Sequence, residues 1–267
     1  MIKEKVMLAG HKEKLLKRLE ERKQISLREA MDILGASEST ARRAFLKLEE
    51  NGKAVRVLGG IRYVSPSMTS YDFDAGVYEH VEEKKAIARE AVKLVEDGDV
   101  IFCDSGTTIR CMCGELAEKL RKEKLNVRIY TNSLANLEIL NEVTEVNLVG
   151  GRFRRNRRDF CGYLSEEVIS RLHFSKVFVG ADGCSSERDF TTTDMETARM
   201  NQIVLENTDC AFMLVDSSKF RTVSHVLYAP AKQFAAVITD AKVDPDILAR
   251  LKTQCENVIT AGAGEKN

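Results

Sequence analysis

Five consecutive residues, Asp104-Ser105-Gly106-Thr107-Thr108, carry the clearest chemistry in this 267-residue chain. They follow the apolar run Val100-Ile101-Phe102-Cys103 and lead into a helical pattern. A strand that stops at an acid, a hydroxyl-rich turn and a helix start together describe an anion site. Free backbone N–H groups of a first helical turn point outward, and the helix dipole favours negative charge there. Ser105, Thr107 and Thr108 add hydroxyl donors, and Gly106 lets the backbone come close. The expected ligand is a phosphorylated small molecule. Taken alone, the same five residues equally describe an ordinary strand-to-helix turn with a Ser or Thr cap.

Other chemistries find less support. The seven cysteines (Cys103, Cys111, Cys113, Cys161, Cys184, Cys210 and Cys255) are odd in number and scattered. That pattern fits reduced thiols in a cytoplasm rather than a disulfide frame. Cys111-Met112-Cys113 is the one close pair, and without a second pair or a nearby histidine it reads as ordinary thiols rather than a metal site. His11, His80, His173 and His225 are dispersed, so neither a metal centre nor a histidine-based triad is expected. No run of about 18 apolar residues is present, which excludes a membrane-spanning helix by composition. No cofactor is implied.

The elements that must position the turn come from the pattern of 83–267. Strand-like runs at 100–104, 127–132, 146–150, 176–180, 210–216, 235–239 and 257–260 alternate with helical stretches at 83–95, 108–120, 134–141, 165–172, 195–207 and 245–252. Such alternation predicts an α/β domain with a mostly parallel sheet covered on both faces. Ligands of these sheets gather outside the carboxyl ends of the strands. That rule selects the opening turn, Thr131-Asn132-Ser133, Gly150-Gly151, Gly180-Ala181-Asp182-Gly183 and Asp216-Ser217-Ser218-Lys219. All five are small, polar or glycine-rich, as a crevice for a polyol phosphate needs. Between Gly151 and this domain's next helix lies a dense basic loop, Arg152, Arg154, Arg155, Arg157 and Arg158. It reads as solvated or as a subunit contact, with direct ligand contact the weaker alternative.

The chain is electrically neutral, but residues 1–64 carry a net +6 and the remainder −6. Only the first piece is suited to a polyanion. It predicts helices over 12–21 and from Ser26, where Ser26-Leu27-Arg28-Glu29 is a capping box, with Gly35 as the stop. Ser37 then opens a third helix, 38–49, whose Ala41, Ala44, Phe45 and Leu48 form the buried stripe. Two short helices around a glycine turn make a helix-turn-helix, and the second enters the major groove. Ser37, Ser39, Thr40, Arg42, Arg43 and Lys47 form its DNA-facing set; the arginines reach guanine edges or phosphates, and Lys47 suits phosphate. Two β-like runs around Gly59-Gly60 supply a wing, with Arg56 and Arg62 on the backbone phosphates. A three-helix protein-interaction module with a solvated basic face is the competing interpretation. Residues 65–82, with Ser65-Pro66-Ser67, read as a linker.

These motifs, in order, resemble the DeoR family of bacterial sugar-metabolism regulators. Ser37-Glu38-Ser39-Thr40-Ala41-Arg42-Arg43 with Leu48-Glu49 and Gly59-Gly60 is similar to its helix-turn-helix. Glu83-Lys84 with Ile87-Ala88, the Asp-Ser-Gly-Thr-Thr turn, Thr131-Asn132-Ser133, Gly150-Gly151, Gly180-Ala181-Asp182-Gly183, Thr191-Thr192 and Asp216-Ser217-Ser218-Lys219-Phe220 are similar to its effector domain. The resemblance covers nearly the whole chain. It implies a C-terminal domain related to ribose-5-phosphate isomerase that senses a phosphorylated sugar. By that resemblance Ser105, Gly106, Thr107 and Thr108 hold the phosphate, with Asp104 and Gly151 in the same effector set. Lys84 and Lys219 supply charge, and Asn132, Ser133 and Asp182 meet sugar hydroxyls. Many relatives have a lysine where Asn201 stands, which implies a different preferred sugar here.

The expected protein is a cytoplasmic repressor of a sugar-utilisation operon and not an enzyme. It binds operator DNA as a dimer or tetramer, and a sugar phosphate changes its DNA affinity. A sugar-phosphate isomerase with an appended helix-turn-helix, using Asp104, Asp182 and Lys219 as acid–base groups, is the alternative. An adaptor whose basic helix meets an acidic protein is a third possibility.

Overall fold

The computed structural model describes residues 14–50, 54–57, 59–63, 71–185 and 189–262. The chain divides into two compact units, 1–70 and 71–267. In the first, a helix over 14–22 (α1) is followed by β1 (Gln24–Ser26), α2 (Leu27–Leu34), α3 (Glu38–Glu50), β2 (Ala54–Val57) and β3 (Gly60–Tyr63). Ser26 caps α2 as its sequence implies. Its hydroxyl accepts the Glu29 N–H at 3.2 Å, and the Glu29 carboxylate accepts the Ser26 N–H at 2.8 Å. Gly35 ends the helix in the left-handed region at φ 55°, where a side chain would be strained. The stripe Ala41, Phe45 and Leu48 closes on Leu15, Leu19, Ile25, Ala30, Leu34 and Ile61.

The three strands form one antiparallel sheet in the order β1-β3-β2, with Ile25 opposite Ile61 and Val57 opposite Gly60. The expected wing is therefore present. Strand β1 is not legible from periodicity, because three residues are too short to show a period of two. It forms because Ile25 fills the small core while its backbone completes the edge of β3.

The second unit begins earlier than the pattern suggests. Residues 71–82, expected as linker, hold α4 (Phe73–Gly76) and the start of α5 (Val81–Val92). One large anchor explains the difference: Phe73 is buried, and its N–H donates to the Asn156 carbonyl at 2.9 Å. From there the chain runs β4 (Val100–Cys103), α6 (Thr107–Glu123), β5 (Arg128–Thr131), α7 (Leu134–Leu140), β6 (Val146–Leu148), β7 (Arg152–Arg154), β8 (Asp159–Cys161) and α8 (Tyr163–Ile169). It continues through β9 (Phe174–Val179), β10 (Gly183–Cys184), β11 (Asp189–Thr192), α9 (Met195–Glu206), β12 (Thr208–Leu214), β13 (Val226–Pro230), β14 (Ala236–Asp240), α10 (Pro245–Gln254) and β15 (Val258–Ala261).

All seven strands expected from the sequence join one parallel sheet in the order β15-β14-β12-β9-β4-β5-β6. The central strands are apolar throughout because both faces are covered. Ile101, Cys103 and Phe178 point into a core shared with α5 and α6, whereas Phe102, Val177 and Val179 point into one shared with α9. Helices therefore cover both faces, and the strand ends are left for polar loops. A small antiparallel sheet, β10-β11-β13, and a two-stranded ribbon, β7-β8, are added at that end. No helix among the described residues is long and apolar enough to cross a membrane.

Ser26 is the capping residue for α2 and also the last residue of β1. Ser26→Ala leaves the Glu29 N–H without its cap and lowers the stability of this unit by about 1 kcal/mol. Urea denaturation checks this; a midpoint identical to that of the parent protein would contradict it.

Candidate functional site

At the carboxyl ends of β4, β9 and β12 lies a cleft of about 490 Å³, partly open to solvent. Its walls include Asp104, Ser105, Gly106, Thr107 and Thr108 with Gly180, Asp182 and Lys219. Gly106 sits at φ 126° and starts the 17-residue helix α6 with no side-chain cap. The first N–H groups of that helix have no intrahelical acceptor. Thr107 and Thr108 are each 9% exposed, and their hydroxyls make no hydrogen bond among the described residues. Lys219 follows β12 in a short 3-10 turn capped by Asp216. Its ammonium has no hydrogen bond or ion pair among the described residues. The turn thus presents a positive helix end, two free hydroxyls and a free cation to one cavity.

A buried charge network braces this cleft. Arg157, 5% exposed, pairs with Asp182 at 2.7 Å and with Asp194 at 3.0 Å. Arg154 pairs with Asp159 at 2.7 Å and with Asp194 at 2.8 Å. Asp159 also accepts the Ser105 hydroxyl at 2.9 Å, so the network reaches the opening turn itself. Asp182 accepts further hydrogen bonds from the Thr192 hydroxyl and from the N–H and hydroxyl of Thr193. Burial works against its charge, but the Arg157 guanidinium and these donors hold its pKa below the ordinary carboxylate range.

The basic loop is only partly solvated. It folds as the β7-β8 ribbon across the ends of β5 and β6, with Arg152 and Arg155 exposed, the Arg154 side chain largely covered and Arg157 buried. Leu134 N–H donates to the Arg158 carbonyl and Phe160 N–H to the Asn132 carbonyl. Those bonds carry Arg154 and Arg157 to Asp159, Asp182 and Asp194, acids that compensate the burial of both charges. Arg157 lines the cleft. The sequence ranks ligand contact second for Arg157, brings in Thr192 only through the family resemblance, and does not single out Tyr71 or Thr197.

Four residues of the expected effector set lie elsewhere. Lys84 is buried, and its ammonium donates to the carbonyls of Gly76 at 2.6 Å and Glu79 at 2.7 Å. Burial pulls its pKa below the ordinary lysine range. It ties the α4 segment down instead of reaching the cleft. Asn132 donates to the Phe160 carbonyl at 3.2 Å, and Ser133 caps α7 through the Asn136 N–H. Both are covered by the ribbon. Gly151 is needed for close approach: a Cβ there would stand 2.7 Å from the Cys161 carbonyl oxygen and closer still to Ser165. A larger depression of about 730 Å³ between α6 and α7 holds Arg121, Glu118, Glu142, Arg158 and Glu138, whose charges pair with one another.

In the first unit, Ser37, Ser39, Arg42, Arg43 and Lys47 are exposed along α3 and Thr40 is half-buried. Arg42 pairs with Glu38 at 2.8 Å on the surface, a bond weak enough to exchange for phosphate. Ser37 does not cap α3 through its side chain; its hydroxyl meets those of Ser39 at 3.0 Å and Thr40 at 3.2 Å. Arg56 and Arg62 fall in β2 and β3, but their side chains lie outside the described residues.

Residues 12–67 match the model of the DeoR-like helix-turn-helix domain, and 79–241 match that of the DeoR C terminal sensor domain. The chain belongs to the DeoR family. The lactose phosphotransferase system repressor of Streptococcus mutans is 32% identical over 91% of this chain and 96% of its own length. The transcriptional regulator GlpR of Haloferax volcanii is 30% identical over 83% of this chain and 85% of its own. Among solved structures, ribose 5-phosphate isomerase A of Methanocaldococcus jannaschii aligns over 53% of this chain and 55% of that chain, with 25% identity and a TM-score of 0.41. That last likeness is too loose to bear on function. This DeoR-family chain is a DNA-binding transcription regulator with an α/β sensor.

Within the sensor, Asp104 is the cleft carboxylate without a cation. It is 3% exposed and accepts N–H groups from Ser105 at 2.7 Å and Gly180 at 3.5 Å, and the Asn201 amide at 3.2 Å. Burial raises its pKa to about 7, against the lowering effect of the Ser105 N–H and with Asp159 adding repulsion. An unfolded aspartate loses its proton near pH 4. Between these values the folded DeoR-family protein binds more protons than the unfolded chain, so stability falls as pH rises through the window. The loss is complete above about pH 7 and is on the order of 2–4 kcal/mol. The Asn201 side-chain oxygen has no partner and can turn to accept from a new amide. Asp104→Asn therefore removes the dependence: its Tm relative to the parent rises between pH 5 and pH 8. Parallel melting curves across that range would contradict this.

Proposed function

We propose that this DeoR-family regulator represses a sugar-utilisation operon, and that a phosphorylated sugar in the sensor cleft changes its affinity for operator DNA. The observation that carries the reading is the convergence of the uncapped α6 N-terminus, the free Thr107 and Thr108 hydroxyls and the unpaired Lys219 ammonium on one cavity. Those groups suit a phosphate dianion, and the polar walls suit a polyol. Names among the relatives, such as the lactose phosphotransferase system repressor, point to the same chemistry.

The effector set in this reading is Asp104, Ser105, Gly106, Thr107, Thr108, Asp182 and Lys219, joined by Arg157. Asp182 is fixed by Arg157 and the Thr192–Thr193 segment, so it orients a hydroxyl and does not shuttle protons. That immobility favours a sensor over a sugar-phosphate isomerase. On the DNA side, α3 enters the major groove with Ser39, Arg42, Arg43 and Lys47 outward, and paired half-sites call for a homo-oligomer.

Fluorescence anisotropy with DNA flanking the protein's own gene tests the reading. Titration of pentose and hexose phosphates is expected to shift the DNA affinity by about 5- to 150-fold for one of them. The matching unphosphorylated sugar produces no shift. Affinity unchanged by every phosphorylated sugar would overturn the sensor half of the proposal.

A further inference from the structure

The groups at the α6 N-terminus are not all idle. Tyr71 is the first residue of the sensor unit, and it lines the cleft. Its hydroxyl lies 3.9 Å from where a Cβ on Gly106 would stand, at the start of the helix and on the side of the Thr107 N–H, which favours negative charge on the phenol oxygen. A neutral phenol oxygen thus sits where the turn is built to take an anion. Burial and the nearby Asp182 carboxylate keep that phenol protonated, by raising its pKa above the ordinary tyrosine range.

The ring is held by the same network that braces the cleft. The Arg157 guanidinium carbon lies 4.2 Å from the ring centroid. The Asn156 amide donates to the Tyr71 carbonyl at 3.1 Å, and the next anchor, Phe73, bonds back to Asn156. Lys84 clamps the far end of the segment through the Gly76 and Glu79 carbonyls. Only residues 64–70 separate Tyr71 from the end of the wing.

We propose that Tyr71 is an internal competitor for the phosphate seat: its hydroxyl stands at the start of α6 in the unliganded sensor and is displaced when a phosphate group binds there. The inference rests on the reading of the cleft as a phosphate site. Thr107 and Thr108 supply the independent sign of a ligand, since both residues are nine-tenths buried, line the cleft and have hydroxyls with no partner among the described residues. Phosphate brings three strong acceptor oxygens against the single weak acceptor of a phenol, so it wins the place beside the helix N–H groups. The displaced residue is the one that joins the sensor to the chain leading to the DNA-binding unit. Occupancy of the seat is therefore converted directly into a change at the end of that connection, without a relay through the sheet.

Tyr71→Phe tests this in the full-length protein. The ring and its contact with Arg157 remain, and only the competing oxygen is lost. Calorimetric titration with inorganic phosphate, at constant ionic strength, is expected to show binding about three- to tenfold tighter in Tyr71→Phe than in the parent. Phosphate binding that is unchanged or weaker in the variant overturns the role of Tyr71 and leaves the phosphate reading standing. No phosphate binding to either protein overturns both. A second variant gives a direct readout. The chain has no tryptophan, so Tyr71→Trp places a single, selectively excitable tryptophan at the seat. Its emission is expected to move to longer wavelength as phosphate saturates the protein, because the ring leaves the cleft. Saturation without a spectral change contradicts displacement.

Discussion

Two guanidinium groups and three carboxylates share one largely buried network at the carboxyl ends of the sheet, with Asp194 at its exposed edge. Arg154 and Arg157 are threaded among Asp159, Asp182 and Asp194, with separations of 2.7–3.0 Å. The five charges come from β7-β8, from the end of β9 and from the approach to α9, so none of these segments can move alone. Taking such groups out of water is costly, and breaking one partner leaves another buried charge uncompensated. The network's worth lies in geometry rather than net stability. It fixes the ribbon over the sheet, holds the Asp182 carboxylate, and through Asp159 and Ser105 sets the turn before α6.

The same network separates braced from available groups. Asp182 and Arg157 are spent on each other, while Lys219, Thr107 and Thr108 keep free hydrogen-bonding capacity toward the cleft. Asp104 beneath them is buried and lacks a compensating cation, so its protonation is coupled to folding across the range from about pH 4 to about pH 7. Asp182 is immobilised by its partners, and groups able to hold an anion are left open.

Much of this was legible in the sequence. The seven parallel strands follow from apolar runs bounded by small polar turns, and the capping box at Ser26 and the stop at Gly35 are local signals with local causes. The opening turn likewise showed its chemistry at once, although a helix cap explained it equally well until its neighbours were placed. What could not be read depends on distant partners. Lys84 and Arg157 show the problem in opposite directions. A lysine in a promising motif is consumed by two backbone carbonyls, and an arginine in an apparently solvated loop is buried. Both outcomes turn on where Gly76, Glu79, Asp182 and Asp194 end up in space. Tyr71 was hidden next to a run of proline and small polar residues that suggested a linker, and its place in the cleft depends on a turn 35 residues further along the chain.

The central claim is that phosphate is gripped at the start of α6. A crystal structure of the protein with a bound sugar phosphate measures this most directly. The phosphate oxygens are expected within hydrogen-bonding reach of the Thr107 and Thr108 N–H groups, with the Lys219 ammonium on one of them. Phosphate bound instead on the outer arginines Arg152 or Arg155, with the α6 N-terminus untouched, would contradict it.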